Sequence, residues 1–365
     1  MLISIIVPTY REGENLPHLV PAVSNALSKE GWQHEIVIVD DNSADATETA
    51  CHGLAENYPI RLIVRRNERG LSSAVLRGMA EAKGDIFVVM DADLSHPPES
   101  VPHLVRALAD DDADFVIGSR YVEGGGTDED WGLIRWLNSR VATLLARPLT
   151  RAKDPMAGFF AIRRETFEAA DELNPVGYKI GLELMVKCGC KKVREIPIHF
   201  QNRKFGESKL CLREQLNYLW HLARLMDYRF ERWTCFGKFC AVGATGMVVD
   251  LSVYSLLLAA LPLMVARALA IWVAMSWNFL LNRHFTFRHA RFGNILHQYF
   301  LFCGSCLVGA VINWGTSIAL TAWVQPFQAH PVLAAAVGVL AGTVFNYLFS
   351  RHITFKRTEA PVRSG

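Results

Sequence analysis

The sequence predicts an α/β domain built on a mainly parallel sheet, followed by an all-α membrane domain of four transmembrane helices. Three observations predict it. Between residues 2 and 120, five aliphatic runs without polar alternation are separated by helical patterns, the signature of parallel strands covered on both faces. Between Arg291 and Arg351 stand 59 residues with no Asp, Glu, Lys or Arg, and between Lys238 and Arg283 the only such residues are Asp250 and Arg267. Charge divides the same way: residues 236–365 hold nine Lys and Arg against two acids, a net +7, leaving −5 on residues 1–235. At 365 residues the chain is long enough for two domains. The expected division is 1–210 for the α/β domain, 211–234 for an amphipathic segment and 235–365 for the membrane domain.

The strands are read at 2–10, 34–43, 60–66, 85–93 and 113–120, with helices at 14–29, 45–57, 71–82 and 99–110. Ser43 or Asp45 is suited to cap the second helix. Pro97 and Pro98 prevent the fourth strand from continuing and cannot sit inside a helix. Within 211–233, Leu212, Leu216, Leu219, Leu222, Ala223 and Met226 fall at helical spacing, flanked by Arg213, Arg224, Arg229, Arg232, Trp220 and Trp233. Such a helix suits a membrane interface, or packing on the soluble domain. The spans are read at about 237–261, 264–282, 297–323 and 331–350, each close to the roughly 20 apolar residues that cross a bilayer.

The second pair of spans repeats the first. "MSWNFLLNRHFTFRHA" from 275 matches "TVFNYLFSRHITFKRT" from 343, pairing Asn278 with Asn346, Arg283 with Arg351, His284 with His352, Thr286 with Thr354 and Phe287 with Phe355. Residues 239–250 match 302–313. Duplication of a two-span unit gives two copies of one orientation. Lys and Arg cluster before span one, between spans two and three and after span four, so the positive-inside rule puts both termini in the cytoplasm. Arg267 is the outer exception. Asp250 is the one acid within a span, and is either functional or a helix–helix contact. The eight cysteines fit a reducing compartment; Cys188/Cys190 and Cys303/Cys306 lack further ligands at metal-site spacing. No signal peptide is expected, because Met1 leads directly into the first strand.

Chemistry collects at the strand ends, where parallel sheets bind ligands. The residues there are Thr9 to Glu12, Asp40 and Asp41, Asp91 and Asp93, and Ser119 and Arg120. A glycine-rich dinucleotide loop and a GxxxxGK[ST] phosphate loop are both missing from the sequence. Asp91 and Asp93 repel each other unless a cation lies between them, and Mg²⁺ commonly takes one or two carboxylates plus substrate phosphates. Asp40 and Asp41 can accept hydrogen bonds from a base and a ribose. No nucleic-acid partner is expected.

The ordered motifs "SIIVPTYREGENL", "IVIVDDNSADAT", "MDADLSHPPE", "IGSRYVEGGG", "DPMAGFFAIRRETF" and "GESKL" resemble family 2 glycosyltransferases of the GT-A fold, and among them the dolichol-phosphate mannose synthases. The likeness covers about 1–230, and the membrane half resembles the GtrA-like family. The resemblance implies inverting transfer of a sugar, mannose from GDP-mannose or alternatively a UDP-sugar such as UDP-glucose, to a polyprenyl (dolichyl or undecaprenyl) phosphate. It implies that Pro8, Tyr10, Glu12, Asp40 and Asp91 border the nucleotide, with Asp41 and Lys209 on the donor side. Asp91, Asp93 and Ser95 would hold Mg²⁺ or Mn²⁺, and Arg120, Arg135 and Ser139 would face the acceptor phosphate. Arg203 would close over the donor, with Ser208 and Lys209 following. The catalytic set is then Asp91, Asp93, Arg120, Arg135 and Arg203. Three positions depart from the usual pattern: Ser95 replaces a glutamine, Ala157 replaces a serine or threonine, and "RGLSSAV" lacks a second glycine. The membrane half is expected to anchor the enzyme and to support a homo-oligomer; the alternative is that it translocates the lipid-linked sugar.

Overall fold

The computed structural model describes residues 1–110, 113–128, 133–174, 177, 179–201 and 212–356. The chain forms two compact units, Met1–Arg229 and Phe230–Gly365.

The first unit opens with β1 (Leu2–Thr9), α1 (Leu16–Ser28), β2 (Gln33–Asp40), α2 (Thr47–Leu54), β3 (Ile60–Val64) and α3 (Leu71–Glu81). There follow β4 (Ile86–Val89), α4 (Val101–Asp110), β5 (Phe115–Ser119), β6 (Gly126–Thr127) and α5 (Leu133–Ala146). The unit closes with β7 (Phe160–Arg163), α6 (Arg164–Glu168), α7 (Ile180–Lys187), β8 (Val193–Pro197), β9 (His199–Phe200) and α8 (Leu212–Arg229). Seven strands make one sheet in the order β3-β2-β1-β4-β7-β5-β8. Apolar side chains fill both faces: Ile3, Ile5, Val7, Ile36 and Ile38 pack on one, and Ile6, Val37, Val39, Phe87 and Phe115 on the other. Each such side chain contributes roughly 1.5–3 kcal/mol through burial. The mainly parallel α/β reading therefore holds.

The exception is β7. It runs antiparallel to both neighbours, with Phe160 opposite Val89 of β4 and Ile117 of β5. An antiparallel strand presents its beginning where its neighbours present their ends. The loop 152–159 therefore arrives at the carboxyl edge of the sheet.

The amphipathic segment divides at Phe230. α8 belongs to the first unit, and the next helix begins at Glu231. On α8, Leu222 and Leu225 are buried in the core, and His221 meets Glu183 of α7 at 3.1 Å. Tyr218 donates to the Ala142 carbonyl of α5 at 2.6 Å. Leu216, Leu219 and Trp220 stay exposed. The helix has two apolar faces and docks with one of them.

The second unit contains α9 (Glu231–Leu257), α10 (Leu263–Leu281), α11 (Ile295–Trp323), α12 (Gln325–Ala329) and α13 (Pro331–Phe349). Among the described residues three helices are long and apolar enough to cross a membrane: Glu231–Leu257, Leu263–Thr286 and Ile295–Trp323. α13 occupies the fourth expected span as a helix of 19 residues but is not one of those three. The repeat is visible in the packing. Phe287 and its counterpart Phe355 stack on each other at 4.9 Å. Around them, Phe279 packs on Tyr299 and Phe302 of the second copy at 5.1 and 5.8 Å. Tyr347 packs on Phe236 and Phe239 of the first copy at 5.1 and 5.7 Å. Each copy's second helix thus packs on the other copy's first, as a two-fold axis requires. α10 and α13 both end in a π-helical turn, at Asn282–Thr286 and Ser350–Thr354. Gly246 and Gly309 face the amides of Asn278 and Asn346, and neither asparagine Oδ1 meets a hydrogen-bond donor. Asp250 pairs with Arg267 at 2.8 Å, joining α9 to α10. This favours the helix–helix reading of Asp250 and gives the outer arginine its partner.

Candidate functional site

The cleft lies along the carboxyl edge of β1, β2, β4 and β5. Among the described residues, three non-glycine residues have positive φ: Arg11 (63°), Asn42 (53°) and Leu94 (61°). Each lies just beyond a strand, β1, β2 or β4. Left-handed backbone is costly for L-residues other than glycine and asparagine, and such strain collects at functional sites.

At β1, Pro8 and Thr9 are buried and Tyr10 is half-buried, with Arg11 and Arg69 over its ring at 5.3 and 5.5 Å. The Glu12 carboxylate accepts from Asn15 Nδ2 at 2.6 Å. At β2, Asp40 accepts from Thr9 Oγ1 at 3.2 Å, Ser43 Oγ at 2.6 Å and Ser43 N–H at 2.7 Å. Asp41, expected at the nucleotide, is buried against Arg65, whose Nε donates to it at 2.8 Å. Its other oxygen accepts from Gly70 N–H at 2.7 Å. Asp41 builds the 65–70 loop.

At β4 the strand stops at Val89, and the acidic residues follow on a tight turn. Asp93 is buried, and its Oδ1 accepts from Ser95 N–H at 3.1 Å and Ser95 Oγ at 2.5 Å. Ser95, expected as a third metal ligand, is fully buried and spends its hydroxyl proton holding Asp93. Asp91 is less buried, and its N–H donates to Nδ1 of His96 at 3.0 Å. His96 stacks on Phe159 at 5.1 Å and lies edge-on to Phe200 at 5.5 Å. Burial lowers its pKa against the pull of Asp91 and Asp93, keeping the imidazole neutral. Since Nδ1 accepts, the proton sits on Nε2, which lies 3.9 Å from Asp91 Oδ2. Gly158 lies beside this pair: a Cβ there would be in ordinary contact with that same oxygen at 3.5 Å.

Among the described residues, no group of three or more His, Cys, Asp or Glu could hold a metal alone. Two carboxylates on one turn nevertheless fit a hard cation whose remaining ligands are phosphates and water. Asp91 and Asp93 are the residues that would hold it.

At β5, Arg120 is clamped by Asp154. Its Nε and Nη2 donate to the two carboxylate oxygens at 2.7 and 2.8 Å, and its N–H adds a bond of 3.1 Å. Asp154 is fully buried, on the loop that β7 delivers to this edge. Burial works against the arginine's charge, but Asp154 more than offsets it and raises the pKa above the ordinary value. Lys179, just before α7, shares this environment with Arg120, Asp154, Asp91 and Glu214; burial, reinforced by Arg120, lowers its pKa to about 8. The first turn of α7 lies against the Ala157 carbonyl, where a Cβ at Gly181 would be in ordinary contact at 3.4 Å. On α5, the Ser139 hydroxyl accepts from Tyr121 O–H at 2.7 Å.

The structure thus gathers Pro8, Tyr10, Glu12, Asp40, Asp91, Asp93, Arg120 and Ser139 at or beside the strand ends. Arg135 lies on α5, but its side chain is outside the described residues, as are Arg203, Ser208 and Lys209 entirely. Asp154, His96 and Lys179 were missed. The "DPMAGF" motif and the His of "SHPPE" were visible in the sequence, but their orientation toward the cleft depends on β7 running backwards.

The Glycosyl transferase family 2 profile matches residues 4–170, and the GtrA/DPMS transmembrane domain matches 238–355. A dolichol-phosphate mannosyltransferase of Pyrococcus furiosus is 40% identical over 361 residues, covering 97% of this chain and 99% of that protein. Proteins of the same name match part of the chain: that of Mycosarcoma maydis is 47% identical over 62% of this chain and 80% of its own, and that of Saccharomyces cerevisiae 40% identical over 70% and 93%. With a 40% identical relative matched over 97% of the chain, the protein belongs to the dolichol-phosphate mannosyltransferase family, as a family 2 glycosyltransferase domain joined to a GtrA/DPMS transmembrane domain.

Proposed function

We propose that the protein transfers mannose from GDP-mannose to the phosphate of a polyprenyl phosphate. The observation that carries this reading is the pairing, on one sheet edge, of a two-carboxylate turn (Asp91, Asp93) with an arginine held rigid by a buried acid (Arg120, Asp154). One side suits a metal–diphosphate and the other an anionic acceptor. The relatives' name supports both the mannosyl donor and the lipid phosphate.

A divalent cation, Mg²⁺ or Mn²⁺, when bound supplies positive charge that stabilises the leaving nucleoside diphosphate. Asp93, whose Oδ1 is held by Ser95, and Asp91, whose backbone N–H is held by His96, are the residues that would hold it. The acceptor needs no general base, because the second ionisation of a phosphate lies near pH ~6 and its oxygen is already anionic. The difficulty is repulsion: two like charges at ~4 Å repel by roughly 4 kcal/mol at an effective dielectric of 20. Arg120 offsets this, with Arg135 and Arg203 assigned to the same task. Asp91 and Asp93 hold charge and do not remove a proton.

The lipid reaches the cleft along exposed apolar surface. Val141, Leu144 and Leu145 of α5 and Leu216, Leu219 and Trp220 of α8 are exposed on helices joined by the Tyr218–Ala142 bond. We assign these faces to the bilayer surface. The Lys and Arg of the loops put the catalytic unit and both termini in the cytoplasm, with four spans counting α13.

The test incubates membranes holding the full-length protein with radiolabelled GDP-mannose, UDP-glucose or UDP-GlcNAc, followed by lipid extraction. Label from GDP-mannose alone, lost with excess chelator or in Asp93→Asn, is expected. Label from a UDP-sugar alone, undiminished activity in chelator, or equal use of free polyprenol would each overturn the reading.

A further inference from the structure

Tyr121 follows Arg120 and faces α5. Its hydroxyl donates to Ser139 Oγ at 2.7 Å, and the guanidinium carbons of Arg120 and Arg140 lie 5.3 and 4.8 Å from its ring centre. Arg140 is exposed and directly follows Ser139 on the helix. One side chain therefore touches the arginine at the end of β5 and two consecutive residues of α5. The direction of the hydrogen bond also matters. A serine oxygen that accepts from a phenol keeps its own proton, which cannot point back along the same bond. It is left to donate elsewhere, and a serine proton with arginines nearby suits an anion. The ring draws both guanidinium groups onto one small aromatic surface, each contact being an ordinary cation–π interaction.

We propose that Tyr121 is a positioning residue of the acceptor-phosphate subsite, fixing Ser139 as a hydrogen-bond donor toward the lipid phosphate and seating Arg120 and Arg140 beside it. This rests on the reading of the acceptor as a polyprenyl phosphate. Arg140 thereby joins the cations of the subsite, and the phenol acts through Ser139 without touching the phosphate. No bond is made or broken by Tyr121.

Removing the phenol oxygen alone tests this. Tyr121→Phe keeps the ring, and with it both arginine contacts, but frees the Ser139 rotor. In the full-length protein with polyprenyl phosphate, Tyr121→Phe should raise the lipid KM about 3- to 10-fold, as expected for one lost hydrogen bond. GDP affinity should stay within twofold of wild type. Ser139→Ala should raise the same KM at least as much, and the double variant should match Ser139→Ala alone, because both changes remove one chain of bonds. Tyr121→Leu, which also removes the ring, should be weaker for lipid than Tyr121→Phe. If wild type uses the lipid phosphate but Tyr121→Phe has an unchanged lipid KM, the assignment fails. It also fails if the single effects multiply in the double variant, or if GDP affinity falls as far as lipid affinity. If wild type does not use a lipid phosphate at all, the proposed function itself is wrong, a result none of the variant comparisons can mimic.

Discussion

Glu183 is almost fully buried on α7, and three groups satisfy it: His221 Nε2 at 3.1 Å, Lys187 Nζ at 2.7 Å and the Asn174 N–H at 2.7 Å. Burial raises its pKa, but these bonds outweigh burial and lower it from 4.5 to about 2. That difference is roughly 3 kcal/mol of preference for the charged form in the folded state, and His221 extends it to the seating of α8. Glu183→Gln keeps the shape and removes the charge. At pH 7 it should cost roughly 3 kcal/mol, or about 100-fold faster hydrogen exchange in α8, with β1–β5 less affected. Because the folded pKa lies below the unfolded one, the stabilisation is complete above about pH 5.5. It falls as pH drops through 4.5 and is gone near 2. Exchange measured on the full-length protein, corrected for intrinsic rates, should show the wild type and the variant converging as pH falls from 6 towards 3. A variant indistinguishable from wild type at pH 7, or a gap that stays constant with pH, would refute the reasoning.

Asp154→Asn removes the charge that holds Arg120 and should cost about 3 kcal/mol of stability, the scale for breaking a buried ion pair. Steady-state kinetics should show kcat/KM for lipid falling roughly 100-fold, with GDP binding largely retained. In the membrane unit, a Cβ at Gly246 or Gly309 would land on the Asn278 or Asn346 amide. Gly246→Ala and Gly309→Ala should therefore each lower stability by about 1–3 kcal/mol. Gly243→Ala, with nothing within 4 Å of the added Cβ, should leave the thermal midpoint in detergent close to wild type.

The sheet and the cleft were legible because local rules place them: aliphatic runs give strands, and a strand that ends in Asp or Thr gives a polar edge. Asp40, Asp91, Asp93 and Arg120 follow directly from that. Asp154 did not, because it precedes a strand instead of following one, and only β7's antiparallel insertion turns its loop toward Arg120. His96 stood inside a quoted motif, yet its bond to the Asp91 N–H needs the left-handed turn at Leu94, which no residue type there announces. Asp41 stands at a strand end like Asp40, but its partner Arg65 is 24 residues away, a contact that spacing does not reveal. α8 was read as lying on the membrane or on the domain. Leu222 and Leu225 dock on the domain, while Leu216 and Trp220 stay exposed.

The crossed packing of the two membrane copies separates two kinds of evolutionary freedom. Residues at the shared axis, such as Phe287 and Phe355, face their own counterparts and are tied together. Residues that meet only within one copy can differ between the copies, though Gly246–Asn278 and Gly309–Asn346 are kept in both. The Asp250–Arg267 pair lies in the second class. Placed through the repeat, the matching positions are Asn313 and Ala335, so the second copy lacks both charges. A lone charge in hydrocarbon is expensive whichever sign it has. The first copy alone carries a salt link that its twin has no means to form.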